Sequence, residues 1–202
     1  VVRGEPEDTV SELMPLLRDR LDWKGIRGIS YLDGHVVSNP PRPLIRDLDA
    51  LPFPAIHFVS KYEFFNPKLK VTPYMAMMTS RNCPFHCIYC VPSSLTFARE
   101  IEYKKEHPGK KPPVGFRSTD SVVEEIHALA RQGFKAIGFM DDNFIVTEKR
   151  LRIIGAALKE HHIAWGCQAR VDAITENIAT ILHDTGCQYV DLGVESFNDD
   201  IL

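Results

Sequence analysis

The sequence of 202 residues lacks any hydrophobic run near the ~20 residues that a membrane-spanning helix needs. It also lacks an excess of one charge, because 24 Lys and Arg residues stand against 27 Asp and Glu residues and leave a net charge of −3. That balance excludes nucleic-acid binding driven by overall positive charge, although it leaves a local basic groove open. We therefore predict no transmembrane segment and no nucleic-acid partner.

The amino terminus lacks the apolar core of a signal peptide, and its first residue is not methionine. We expect a cytoplasmic protein, and we expect this sequence to be part of a longer one.

Cysteine is scarce and odd in number, with five residues at positions 83, 87, 90, 167 and 187. Three of them fall within one short stretch, which does not fit a secreted disulfide framework. The pattern favours a metal or cluster site in a reducing compartment.

The composition, 44% hydrophobic and 25% charged, is that of a globular protein. The chain divides into three stretches. Residues 1–38 predict a short α/β piece, with a helix opened by a capping pattern at Thr9 and a hairpin turn at Asp33-Gly34. Residues 39–73 are rich in proline and aromatic residues, and we interpret them as an ordered connector.

Residues 74–202 alternate short apolar strands with one-sided helices. We predict helices that begin at Ser121, Thr147 and Thr175, and a surface loop over 104–111. The lysines of that loop resemble a phosphate-binding run, but a solvated surface is the more ordinary explanation. The predicted strands cover 74–79, 136–140, 163–167 and 189–194.

Such alternation predicts an α/β fold with a parallel sheet and right-handed crossovers. Four βα units fit either an open sheet or part of a barrel. In both architectures the chemistry lies at the carboxyl ends of the strands. Polar residues follow each predicted strand there, at 81–90, 141–143, 168–170 and 195–196.

The strongest motif is Cys83-Pro-Phe-His-Cys87-Ile-Tyr-Cys90. Structural zinc requires four ligands, whereas three thiolates on an iron–sulfur cluster leave one iron open. A zinc site remains possible if His86, Cys167 or Cys187 supplies a fourth ligand. The ordinary interpretation of Cys167 and Cys187 is burial on or near strands.

This motif, placed directly after a strand and with Tyr89 before its last cysteine, resembles the radical S-adenosylmethionine (SAM) superfamily. Several other stretches are similar to the cobalamin-linked branch of that superfamily. They are residues 1–7, 25–30, 48–55, 80–84, 139–144 and 193–196.

The resemblance implies a partial (β/α)6 barrel of about four βα units in 74–202, preceded by the end of a Rossmann-like cobalamin-binding domain in 1–38. It implies a [4Fe-4S] cluster held by Cys83, Cys87 and Cys90, with SAM chelated to the open iron and cleaved reductively to a 5′-deoxyadenosyl radical. The first part of a cobalamin domain, with its cobalt-ligating histidine, is absent here. We therefore expect cobalamin in the full-length protein but not held by this chain alone.

The same resemblance suggests contacts to SAM for seven residues, and it assigns none as catalytic. Tyr89 would contact the adenine, Arg170 the carboxylate of SAM, and the run Asp141, Asp142 and Asn143 its amino group. Glu195 and Ser196 would meet the ribose or the amino-acid part of SAM.

Ordinary structural roles compete with these assignments. Asp and Asn residues also cap helices, and a serine such as Ser196 does the same. Arg170 could instead form an ion pair with Asp172 or Asp191. The ring of Tyr89 could instead pack only against other residues of the protein.

The main functional hypothesis is a radical SAM enzyme that performs cobalamin-dependent methyl transfer to an unactivated carbon. A cobalamin-linked cyclase or rearrangement enzyme is the nearest alternative. A non-catalytic zinc-binding module and a cluster-binding fragment without turnover are others. The expected partners are an electron donor such as ferredoxin or flavodoxin and a small-molecule, lipid or tetrapyrrole-like substrate.

Overall fold

The computed structural model describes residues 1–59, 61–85, 87, 90–198 and 200–201. These residues form two compact units, each built from two stretches of chain. The first unit contains Val1–Arg46 and Asn82–Val114, and the second contains Asp47–Arg81 and Gly115–Leu202. No helix in the described part of the chain has the length and apolar character needed to cross a membrane.

The first unit contains two helices and a hairpin. Helix α1 covers Glu7–Arg18, strands β1 (Ser30–Asp33) and β2 (His35–Ser38) pair antiparallel, and a second helix, here α2, covers Ser94–Glu106. Gly34 turns the hairpin with φ of 70°, a left-handed conformation that glycine adopts without steric cost. The hairpin predicted at Asp33-Gly34 is therefore confirmed.

Buried charges tie α2 to the amino-terminal segment. Arg99 lies 3.1 Å from Glu5, and the two side chains are only 1% and 3% exposed. Glu102 pairs with Arg3 at 3.0 Å. Because buried charges are tolerated only when paired, these contacts define how α2 packs within the first unit.

The second unit contains a parallel sheet of four strands. Its strands are β3 (Tyr74–Met77), β6 (Ala136–Phe139), β7 (Ala164–Arg170) and β8 (Cys187–Gly193). They lie in the order β3-β6-β7-β8 across the sheet. All three pairings are parallel. A separate small ladder joins β4 (Ser80–Arg81) to β5 (Gly115–Phe116). The predicted α/β fold class with a parallel sheet is confirmed.

Three helices connect these strands and cover one side of the sheet. They are α3 (Thr119–Arg131), α4 (Glu148–Glu160) and α5 (Glu176–Asp184). The hydroxyl of Thr147 accepts a bond from the amide of Arg150, and that of Thr175 accepts one from Ile178, so both predicted caps are confirmed.

The core of the second unit lies between these helices and the sheet. Each predicted helix stripe contributes buried residues, among them Ile126, Leu158 and Ile181. Trp165 is fully buried on β7, and its indole nitrogen donates to the carbonyl of Thr185 at 2.9 Å. Cys167 is also buried on β7 and Cys187 is half-buried at the start of β8, as expected for structural cysteines.

Some predicted boundaries are wrong. Helix α1 begins at Glu7, two residues before Thr9, and Thr9 is buried inside the helix rather than capping it. Helix α3 begins at Thr119, and its cap is Ser118 rather than Ser121. Strand β7 extends to Arg170, three residues beyond its predicted end. Caps depend on local φ and ψ, which a pattern of side chains does not specify alone.

The surface loop predicted over 104–111 is also wrong in its first part, because Lys104 and Lys105 form the last turn of α2. Lys104 pairs with Glu100 and Lys105 with Glu102. Helix α2 escaped detection because its apolar residues do not form one stripe, and buried ion pairs hold it instead. The domain division at residues 38 and 73 stays a prediction.

Candidate functional site

The cysteine motif lies on the loop between β4 and α2. Cys83, Cys87 and Cys90 form no disulfide; the first two are half-buried and the third is exposed. The amide of Cys90 donates to the carbonyl of Cys87 at 3.2 Å, which holds the backbones of these two cysteines together. Tyr89, predicted to contact adenine, and His86, a candidate zinc ligand, lie outside the described residues.

Three unbridged, partly exposed thiols on one loop fit an iron–sulfur cluster, because thiolates are the ligands that hold such clusters. A disulfide between any two of them would have removed the site. The donor set is soft and sulfur-only among the described residues, which suits iron–sulfur chemistry better than magnesium or calcium.

The residue before the first cysteine fixes the start of the loop. Asn82 has φ of 70° and is 4% exposed, and its side-chain oxygen accepts a hydrogen bond from Arg99 on α2. Asn adopts the left-handed region more readily than most residues. At the far end, Ser93 caps α2 by accepting from the amide of Thr96. Both ends of the cysteine loop are therefore anchored within the first unit.

Lys111 also contacts the backbone of this loop. Lys111 donates to the carbonyl of Phe85 at 3.0 Å, inside the cysteine motif. One of the predicted solvated lysines thus orders the loop backbone.

In the second unit, Asp141 follows β6 and is 1% exposed. Its carboxylate accepts hydrogen bonds from the amide and hydroxyl of Thr79 and from the hydroxyl of Ser80. Burial is the largest influence on this group and raises the pKa of Asp141 above the ordinary value, against the opposing effect of these donors. The side chain therefore fastens the end of β6 to the β3–β4 junction.

The next two predicted residues differ in their surroundings. Asp142 is half-buried. Asn143 is buried, and its amide nitrogen donates to the carbonyl of Ile145 at 3.5 Å. Its side-chain oxygen has no hydrogen-bond partner among the described residues. A buried acceptor without a donor is costly, so this oxygen is suited to receive a donor from a bound molecule.

Arg170 is the last residue of β7 and pairs with Asp172 at 2.6 Å. The first of its two candidate partners is thus present, whereas Asp191 pairs with Lys68 at 2.5 Å. Hydrogen bonding to Arg170 lowers the pKa of the exposed Asp172. The guanidinium is already oriented at the carboxyl end of the strand, where it presents a planar set of donors.

Glu195 and Ser196 follow β8 on a turn. Glu195 is exposed with φ of 62°, and the hydroxyl of Ser196 accepts from the amide of Asn198 at 3.0 Å. The other candidates of the second unit also lie at the carboxyl edge of the sheet, since Asp141, Asp142 and Asn143 follow β6 and Arg170 ends β7.

Sequence reasoning missed Thr79, Ser80, Asn82 and Arg99, which support the site rather than form it. The signal was present as a polar run, Thr79-Ser80-Arg81-Asn82, directly after an apolar strand. Arg99 carried no signal, because an arginine on a helix usually points to solvent.

The comparisons with known proteins agree on one family. The model of the family described as "Radical SAM superfamily" matches residues 77–202. A protein called an uncharacterized methyltransferase in Pyrococcus horikoshii is 34% identical over 100% of this chain and 41% of its own length. The anaerobic magnesium-protoporphyrin IX monomethyl ester cyclase of Rubrivivax gelatinosus is 30% identical over 97% of this chain and 34% of its own length.

A solved structure shares the fold. The radical SAM methyltransferase TsrM from Kitasatospora setae, solved with tryptophan and a SAM analogue, superposes with a TM-score of 0.66 at 16% identity. The alignment covers 100% of this chain and 38% of TsrM. This chain therefore spans between 34% and 41% of the length of the proteins that it matches here.

The predicted family resemblance is confirmed by these matches. Members of the family are enzymes that use a [4Fe-4S] cluster and SAM, and the matched region contains all three motif cysteines. With a family match over more than half of its length, the chain belongs to the radical SAM superfamily.

Proposed function

We propose that this chain is the cluster- and SAM-binding part of a cobalamin-dependent radical SAM methyltransferase. The observation that carries the proposal is the loop with three cysteines outside any disulfide, Cys83, Cys87 and Cys90, inside the region that matches the family. The 34% identity to a methyltransferase over the whole chain supports methyl transfer as the reaction. When bound, the cluster supplies the electron that cleaves SAM, and cobalamin carries the methyl group.

The candidate site residues then have separate roles in binding the cluster and SAM. The three cysteines hold the cluster, and Asn82 and Arg99 keep the start of their loop in place. Asp142 offers a carboxylate, and Asn143 its buried oxygen, to the ammonium group of SAM. Asp141 positions the segment that contains Asp142 and Asn143, because its own carboxylate accepts hydrogen bonds from Thr79 and Ser80.

The remaining candidates bind the rest of SAM. Arg170 offers its guanidinium to the carboxylate of SAM, and Tyr89 contacts the adenine. Glu195 and Ser196 contact the ribose or the amino-acid part of SAM. Cobalamin, an electron donor such as ferredoxin or flavodoxin, and a cytoplasmic location complete the proposal. The substrate class is a small molecule, a lipid or a tetrapyrrole-like compound.

A ring-forming reaction is the second candidate, and the 30% identity to a magnesium-protoporphyrin ester cyclase favours it. An assay of the full-length protein with methyl-labelled SAM distinguishes methyl transfer from ring formation. Label that leaves SAM and appears in the product supports methyl transfer, whereas label recovered only in methionine supports the cyclase.

The cluster assignment is tested on the chain itself by anaerobic reconstitution with iron and sulfide. We expect equal amounts of bound iron and sulfide, a broad visible absorbance that dithionite bleaches, and release of 5′-deoxyadenosine when SAM is added to the dithionite-reduced protein. Cys87→Ala should abolish all three, whereas Cys167→Ala, which removes a buried thiol on β7, should keep them. Stoichiometric zinc without iron, or unchanged iron in Cys87→Ala, would overturn the assignment.

A further inference from the structure

Two histidines and a glutamate meet on the helical side of the second unit, at the ends of two neighbouring helices. His127 lies near the end of α3, Glu160 is the last residue of α4, and His161 is the C-cap of α4. One ligand atom from each lies within 4.8 Å of those from the other two. Both histidines are half-buried, and Glu160 is exposed.

The two imidazole rings approach each other edge to face. Nδ1 of His127 lies 2.6 Å from Nε2 of His161, and the ring planes are inclined by 82°. If both nitrogens present lone pairs, they repel each other unless a proton or a cation lies between them. A tetrahedral zinc ion with Zn–N bonds of about 2.0 Å holds two such nitrogens about 3.3 Å apart, so a small rotation of either side chain admits it.

The surroundings of this cluster favour a cation. Glu160 has no ion pair or hydrogen bond from its carboxylate to any described residue, although it sits beside two rings that accept protons or metals. The carbonyl ends of helices carry partial negative charge, and both α3 and α4 end here. The carboxylate, which pairs with no Lys or Arg among the described residues, and two converging ring nitrogens therefore lie together at the ends of α3 and α4.

We propose that His127, Glu160 and His161 bind a divalent transition metal ion of the zinc type, with water as the fourth ligand. Two imidazoles and one carboxylate form a ligand set that zinc accepts with one position left to water. The ion links the ends of α3 and α4. None of the three ligands is among the residues proposed to hold the cluster or SAM, so the metal site does not rest on the proposed radical SAM function.

Titration with zinc, measured by isothermal titration calorimetry, tests this proposal. The titrated protein carries Cys83→Ala, Cys87→Ala and Cys90→Ala, because those thiols would otherwise bind zinc themselves. We expect one saturable zinc ion per chain. Separate His127→Ala and His161→Ala changes should each weaken its affinity at least about tenfold, since loss of even an outer-shell partner costs that much.

Glu160→Gln provides a variant that leaves folding undisturbed, because the side chain is exposed. It should also weaken zinc binding, and circular dichroism verifies that each variant folds. The matched control is His183→Ala, whose exposed ring on α5 lies outside the cluster. It should bind zinc like the parent protein.

Cobalt in place of zinc identifies the ligand atoms. Its near-ultraviolet spectrum should lack the intense thiolate-to-cobalt charge-transfer band, which excludes Cys167 and Cys187 as ligands. Zinc should also raise the midpoint of thermal unfolding of the protein with the three cysteine changes, but not that of the same protein with His161→Ala added. No saturable binding, binding unchanged by both histidine variants, or a thiolate band would each overturn the proposal.

Discussion

The carboxylate of Asp141 lies 3.1 Å from the backbone amide of Thr79 through each of its two oxygens. This contact joins the end of β6 to the residue that follows β3 by two positions, across the carboxyl edge of the sheet. The same carboxylate accepts the hydroxyl of Ser80, the first residue of β4. This buried side chain, together with the β4–β5 ladder, therefore fixes the backbone that follows β3.

Asp141→Ala should lower the free energy of unfolding by about 2–4 kcal/mol, because it leaves the amide and hydroxyl of Thr79 and the hydroxyl of Ser80 without their acceptor in a buried place. Urea denaturation measures the loss. Asp142→Ala, at the half-buried neighbouring position, is the control and should lose less than half as much. Equal losses in the two variants would show that Asp141 does not fasten the strands.

The pH dependence of Asp141 has a definite sign. Because burial raises the pKa of this carboxyl, the folded protein keeps its proton at a pH where the unfolded chain has already released it. Its contribution to stability is complete below the ordinary carboxyl pKa of about 3.9 and is lost as pH rises through the folded pKa.

Asp141→Asn removes that titration. The unfolding free energy of the parent protein minus that of Asp141→Asn should therefore fall as pH rises from 4 towards neutrality, on the order of one kcal/mol per unit of pKa shift. Denaturation curves at several pH values provide the measurement. A difference that grows with pH would mean that the hydrogen bonds outweigh burial.

Glu5 and Arg99 form the most buried ion pair that the structure records, with 3% and 1% of their side chains exposed. Glu5→Ala should lower the unfolding free energy by about 3–5 kcal/mol, because a buried guanidinium loses its counter-charge. The joint change Glu5→Leu and Arg99→Met should recover much of that loss. Glu148→Ala is the control, since the exposed pair of Glu148 with Arg152 contributes only about 0.5 kcal/mol.

Asn82 should be a positioning residue for the cluster. Asn82→Ala places a side chain that disfavours φ of 70° next to Cys83 and removes the acceptor of Arg99, so less iron should be retained after reconstitution. Asn82→Asp keeps both the acceptor and the tolerance for this conformation, and it should retain iron like the parent protein. Iron retention that is equal in all three proteins would assign Asn82 to folding alone.

Substitutions of Arg170 and Asp172 distinguish a role of Arg170 in SAM binding from a role in local ion pairing. Under the proposed function, Arg170→Ala should weaken SAM binding at least about tenfold, because a charge-assisted pair with the SAM carboxylate is lost. Asp172→Ala removes only the competing partner and should not weaken it. Equilibrium dialysis with the reconstituted chain measures both. Equal weakening by the two changes would indicate that Arg170 acts only through its ion pair.

The parallel sheet was predictable because its evidence is local. Alternation of short apolar strands with amphipathic helices, and the caps Thr147 and Thr175, follow from periodicity and from backbone groups that each helix start must satisfy. The cysteine motif was equally predictable, since its ligands lie within one short stretch of sequence.

The position of α2 was not predictable in this way. Its packing depends on Glu5 and Arg3, which contact residues more than ninety positions later in the chain, and a sequence pattern contains no information on such distant pairs. Two amphipathic helices are compatible with many relative placements, so only the folded chain brings His127 beside His161. Residue type and spacing thus decide local elements and the chemistry available, whereas long-range packing decides which buried charges and ring nitrogens meet.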